Sequence, residues 1–330
     1  MMKYIKSIAI LVTTVAVLTA CSEDDLNNTS VFDNPVTEQK NAFDNWIQTN
    51  YVEPYNIQFV YRYTDSETNN TYNVIPPTLE SAQAMAILIK YVWIGAYNEV
   101  MESEEFMKTY APRILQMTGS FQYKGDGSRT IGTAEGGVKV TLFGCNNIDI
   151  DNPWIEQESP YTDRSTPRVD MNYWYFHTMH HEFCHILTQT KNYDADFQKI
   201  SVTDQRLGDW VNVKDAMAPA YGFVSGYATN EYNEDFAEIY SIYVTHTEAA
   251  WNTILADAER LSKDETVAGR VEDAVTKLKS KLETVKKYFN DTWGLDMDKM
   301  REVVLRRSQE ALLLDLRNLP NDKNYEKAGK

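Results

Sequence analysis

The stretch YFHTMHHEFCHIL, Tyr175 to Leu187, holds four of the chain's five histidines: His177, His180, His181 and His185. No other feature narrows the possible folds as far. Wound as a helix at roughly 100° per residue with His181 at 0°, the stretch puts His185 near 40° and His177 near −40°. Met179, Phe183, Ile186 and Leu187 then fall on the opposite side, between about 140° and 240°. Glu182 lies at about 100°, on one flank of the imidazole face, with His180 and Cys184 on the other. A helix with an apolar back and an imidazole front belongs inside a globular domain, lining a site.

Within it, HEFCH reads His-Glu-x-x-His. Residues four apart sit one turn above each other, so His181 and His185 can bind one ion. Glu182, beside the first histidine, points past the metal and can take a proton from the water next to it. Two histidines and a glutamate around zinc, with a fourth position open, form a known catalytic set. His177/His181 and His180/Cys184 share the spacing but lack such a glutamate. The third ligand must come from elsewhere. SGYATNEYNEDFAEIYSIY, residues 225–243, offers Glu231, Glu234, Asp235 and Glu238. On a helix from about Asn233, Glu234 and Glu238 share a face flanked by the small residues Ala237, Ser241 and Thr245, with Phe236, Tyr240, Tyr243 and Val244 opposite. Two carboxylates on such a face are costly to bury without a cation or hydrogen-bond donors. An exposed acidic helix start, favoured by the dipole, is the plainer alternative.

The N-terminus describes the chain's address. MMKYIKSIAILVTTVAVLTAC carries Lys3 and Lys6, an apolar run from Ile8 to Leu18, and the ending Leu18-Thr19-Ala20-Cys21. The run fits a signal peptide and is too short to span a bilayer. The ending looks like a bacterial lipobox, with Cys21 as the lipidated first mature residue; an ordinary secretory signal is the alternative. Multiple acyl chains, at about 0.8 kcal/mol per buried CH₂, hold a domain firmly on a membrane. The acidic SEDD after Cys21 resembles a surface-export signal of one group of Gram-negative bacteria. Outer-membrane display at the cell surface is therefore expected, with a periplasm-facing anchor as the alternative. Cys145 and Cys184 read as free, buried thiols. A net charge of −16 argues against nucleic acid as a partner.

Residues 1–20 read as the signal peptide and 21–40 as a polar tether. A mixed α/β lobe spans 41–169, with a strand at 56–65, a helix at 78–101 after Pro76 and Pro77, a helix over 104–117 broken at Pro112, and a hairpin or meander over 120–144. Residues 170–330 read as helical: the histidine helix, an irregular stretch at 190–230, one helix over 233–258, and two more near 266–289 and 297–315. Val271, Val275, Leu278, Leu282, Val285 and Phe289 form a plain packing stripe. This order is an α+β layout, with a site expected in the cleft between lobes.

HEFCH followed some 50 residues later by EDFAE resembles the gluzincin metallopeptidases, most closely those of the lethal-factor toxin type. The resemblance implies a zincin-like fold and assigns zinc to His181, His185 and Glu234. It places Glu238 behind a zinc histidine and Tyr227, seven residues before Glu234, over the metal, where its hydroxyl could stabilise an oxyanion. Cys184 departs from the pattern, standing where such enzymes often carry glycine. With the lipobox, the chain is similar to substrate-import-associated zinc metallohydrolase lipoproteins, which implies a SusC/SusD-type uptake complex as a partner.

The reading is a lipid-anchored zinc hydrolase acting on peptide or protein substrates, with Glu182 as general base; a monomer is expected. The strand at 136–144 is the expected cleft edge for an extended substrate. A non-catalytic lipoprotein that captures peptide or glycan is the rival, and it has no need of Glu182. Zinc chemistry on another amide or an ester is a third reading.

Overall fold

The computed structural model describes residues 40–63, 72–125, 129–161 and 169–320. Cys21, the signal, nearly all of the tether and the end of the strand expected at 56–65 lie outside them. Ala42–Lys330 group as one compact unit.

Local signals start some of the elements. Helix α1 (Ala42–Ile47) continues through a π turn, Gln48–Val52. The chain turns at Asn56, in the left-handed region with φ 55°, into β1 (Gln58–Val60). Ile57, Phe59 and Tyr61 are buried, as their alternation requires. Thr78 caps α2 (Leu79–Leu88) by accepting from Ser81 N–H at 3.1 Å. A π turn (Ile89–Ile94) joins α2 to α3 (Gly95–Val100), so the helix expected over 78–101 is present with a π segment inside it. Helix α4 (Glu105–Tyr110) stops before Pro112, but the next segment is strand β2 (Ile114–Met117), where continued helix was expected. Leu115 and Met117 are buried: tertiary pairing overrides the propensity of a short apolar run.

Strands β3 (Gln122–Tyr123) and β4 (Arg129–Thr130) form an antiparallel ribbon. Strands β5 (Gly132–Glu135) and β6 (Lys139–Leu142) form a hairpin whose turn uses Gly136 and Gly137 at φ 57° and 72°, the positive values that tight hairpin turns demand. The main sheet has the order β1-β2-β6-β5. Its first three strands are parallel, and only β5 runs antiparallel. The hairpin expected within 120–144 is present as β5–β6. It joins a mainly parallel sheet whose β1–β2 connection carries α2, α3 and α4. One expectation is corrected: the strand in 136–144, read as the cleft edge, is interior and paired on both sides, and β5 is the edge.

The histidine segment opens with a π turn, Asn172–His177, and continues as α5 (Thr178–Thr190). The helix expected over 233–258 is two: α6 (Tyr232–Thr245) and α7 (Glu248–Ser262), parted at His246 and restarted by Thr247, whose hydroxyl accepts from Ala250 N–H. Helices α8 (Ala274–Tyr288) and α9 (Met297–Ala311) come next, the latter capped by Asp296. Helix α6 packs against α5, α8 and α9. Among the described residues, no helix is long and apolar enough to cross a membrane.

Helix α8 buries more than its apolar stripe. Lys281 is fully enclosed beside Leu278 and pairs with the equally buried Asp235 of α6 at 2.7 Å. Its ammonium also donates to Gly222 O at 2.8 Å and lies over the Phe223 ring. Removing one member of a buried pair strands the other charge, which costs about 3–5 kcal/mol. Lys281→Met should lower the unfolding free energy by that order, and adding Asp235→Leu should recover most of the loss; chemical denaturation of the three proteins measures both.

Candidate metal centre

Three side chains from two helices converge. On α5, the spacing of four stacks His181 and His185, whose Nε2 atoms lie 3.0 Å apart. From α6, Glu234 Oε2 lies 3.0 Å from His181 Nε2 and 3.1 Å from His185 Nε2. The helices can approach because Ala237, Ser241 and Thr245 are small and fully buried, with Ser241 Oγ 3.3 Å from His177 Nε2.

Behind the triad sits Glu238, one turn along α6. Its Oε1 accepts from His177 Nε2 at 2.6 Å and lies 2.9 Å from His181 Nδ1, close but out of line for an ideal hydrogen bond. Its Oε2 accepts from Ser225 Oγ at 2.5 Å. A carboxylate against Nδ1 favours the proton there and turns the Nε2 lone pair toward Glu234 and His185. Three acceptor atoms within 3.1 Å of one another repel unless a proton or a cation sits among them. Two imidazoles and a carboxylate are a zinc donor set, so these residues fit the ion. A second group, His177, His181 and Glu238, also brings donor atoms together, sharing His181. There the carboxylate already receives donors from both sides.

The electrostatics agree. Burial raises the Glu234 pKa, yet the bonds to His181 and His185 pull it well below the carboxylate range. Burial disfavours a charged His181, but Glu234 and Glu238 overcome it and lift the imidazole pKa. Glu238 is likewise held low by His177 and His181 against its burial. Glu182 differs: burial pushes it above the usual range, tempered by His181 and His185. The backbone N–H of Ala134 on edge strand β5 bonds to it. Its carboxylate is absent from the converging atoms and lines the same cavity, about 680 Å³, with His181, His185, Tyr227, Glu231 and Glu234.

Tyr227 stands over the site, its ring centroid 5.7 Å from that of His181. Burial, then the Glu234 carboxylate, hold its phenol protonated. Trp210 packs edge-on against it at 4.9 Å. Gly226 permits this placement, since a Cβ there would meet Val213 O at 2.1 Å.

Other sequence candidates lie elsewhere. Glu231 ends the loop before α6 and lines the cavity without joining the triad, and Asp235 turns away to Lys281. His180 points backward, 3.1 Å from the Tyr97 hydroxyl, and burial pushes it down to about 3. Cys145 and Cys184 are both free and buried. Sequence reasoning missed Lys281, Ser225 and the place of β5, rather than β6, beside the site. The serine stood two residues before Tyr227 with no spacing to mark it.

A family model described as "Putative zinc-binding metallo-peptidase" matches residues 36–298. The chain belongs to this family. A crystal structure titled "a putative zinc-binding metallo-peptidase", from Bacteroides caccae ATCC 43185, is 36% identical to the chain. The match covers 88% of this chain and 100% of that one, at a TM-score of 0.66. No curated protein matches. The family's stated metal is zinc, and His181, His185 and Glu234 form a group able to hold it.

Gly226→Ala should force the 213–227 segment apart. Overpacking of this kind costs about 1–3 kcal/mol. Thermal unfolding should show a lower midpoint than for the wild type, where an open site would accept the methyl unchanged.

Proposed function

We propose that the protein is a zinc-dependent peptidase with a zincin-like fold, its site in a cleft between a mixed α/β lobe and a helical lobe. The observation that carries this is Glu182: a half-buried carboxylate beside the donor triad, outside it, and bonded to the edge strand. A binding protein has no need of a base there. Zinc held by His181, His185 and Glu234 would supply a Lewis acid able to activate water near neutral pH.

Glu182 takes a proton from the attacking water and returns it to the leaving amine, roles that its raised pKa suits. Tyr227, kept protonated, donates to the developing oxyanion. Glu238 and Ser225 orient His181. The open side of β5 offers backbone groups to an extended peptide.

Glu182→Gln should keep zinc content and melting temperature while cutting peptide cleavage about 10²–10⁴-fold. Glu234→Gln should lose zinc and activity together, and Glu238→Gln should cost roughly 10–100-fold in metal affinity or rate. Elemental analysis, thermal melts and a peptide-library assay with a chelator control read all three. Wild-type cleavage by Glu182→Gln would move the protein to the binding class.

The lipobox supports an address: a lipoprotein anchored through Cys21 at the outer membrane, facing outward and serving a SusC/SusD-type uptake complex. Cys21→Ala should shift the protein from membrane to soluble fraction, and protease shaving of intact cells should degrade the wild type. Protection from shaving would place it on the periplasmic side.

A further inference from the structure

The donor triad borders a second cavity, of about 530 Å³, which shares Gly132, His181, Glu182 and Tyr227 with the first. Its chemistry is different. Trp174, Tyr173, Trp210 and Ile242 make apolar walls, and Arg129 and Lys124 line it with positive charge. Two cations at one pocket stand out in a chain of net charge −16. Among the described residues, no carboxylate pairs with either. The acidic side chains that share the cavity have other partners: Glu238 holds His177 and Ser225, Asp215 accepts from Gly226 N–H, and Glu182 meets Ala134.

Arg129 is held in place by rings. Its guanidinium lies 4.2 Å from the Trp174 ring centroid and 4.9 Å from that of Phe121. Contact with aromatic faces holds a cation without pairing it to an acceptor, so its N–H groups stay available to another ligand. Backbone pairing with Tyr123 fixes the start of β4. Arg129 precedes Gly132 by three residues, roughly 10 Å of extended chain at about 3.3 Å each. That is the reach of a few residues of a peptide laid along β5.

Resting on the peptidase reading, we infer that this cavity is a substrate subsite for a carboxylate-bearing residue. The aromatic walls take its apolar part, and Arg129, with Lys124 beside it, binds the carboxylate. The carboxylate is either the free C-terminus of a short peptide or an Asp or Glu side chain near the cleaved bond. Both present the planar two-oxygen acceptor that the fork matches.

The test uses the zinc-loaded full chain and a peptide cleaved in the library. One arm compares the free acid with the C-terminal amide. The other replaces Asp or Glu with Asn or Gln at positions flanking the cleaved bond. A charged hydrogen bond of this kind is worth roughly 10-fold or more in KM, so one arm should show that preference. Arg129→Gln, at an exposed position, should abolish the preference, so that the charged and neutral peptides are cleaved with the same KM. Arg129→Glu should turn it toward Lys- or Arg-bearing peptides. Equal cleavage of charged and neutral peptides by the wild type, or an equal loss for both in Arg129→Gln, overturns the subsite. If no peptide is cleaved, the peptidase reading fails on its own. Calorimetric binding of acid and amide peptides to the wild type and Arg129→Gln then still decides whether the pocket recognises a carboxylate.

Discussion

Holding three electron-pair donors within 3.1 Å of one another is the constraint around which this structure is built. Nε2 of His181, Nε2 of His185 and Oε2 of Glu234 repel each other, and none can retreat. The histidines are fixed by one turn of α5, and the glutamate by the close packing of α6 against it. That packing needs residues with almost no side chain, which is why Ala237, Ser241 and Thr245 sit where the helices meet. A cation at the centre turns the repulsion into attraction, so the site gains from being metallated.

Two charged contacts keep the arrangement from relaxing. Glu238 joins His177, His181 and Ser225, tying α5, α6 and the loop before α6 to one carboxylate. Asp235, next to the candidate ligand, is pinned by Lys281 from α8. Successive acidic residues of EDFAE thus face different partners: Glu234 the triad, Asp235 the core cation, Glu238 the back of the imidazoles. The helical period distributes them, and each is satisfied on its own side.

The proposed base and the candidate ligands are separated in the same way. Glu234 and Glu238 are surrounded by imidazoles and stay ionised despite burial. Glu182 is half-buried with less compensation, and desolvation raises its pKa. Carboxylates around one site therefore suit different tasks, and the difference comes from neighbours, not from residue type. The family match and the 36%-identical Bacteroides caccae structure place the chain in a family described as "Putative zinc-binding metallo-peptidase". The surroundings of the triad are polar on one side and aromatic with two cations on the other.

Spacing alone made the histidine face of α5 legible, because i and i+4 stack in any helix. The shared face of Glu234 and Glu238 came from the same rule. Glycines marked the β5–β6 hairpin, and Pro112 marked the end of α4. The rest needed three dimensions. Ile114–Met117 looks like more helix until two parallel neighbours claim its backbone. Which hairpin strand is the edge depends on β2 reaching β6, a pairing between segments more than twenty residues apart. Lys281 looks like a solvated lysine in an amphipathic helix until Asp235 arrives from another one. Arg129 and Trp174 are 45 positions apart and meet only over the second cavity. Local periodicity is set by the covalent chain, so the sequence determined which residues share a helix face. Charge pairing, strand order and pocket chemistry depend on contacts between distant segments, and only the tertiary structure decided those.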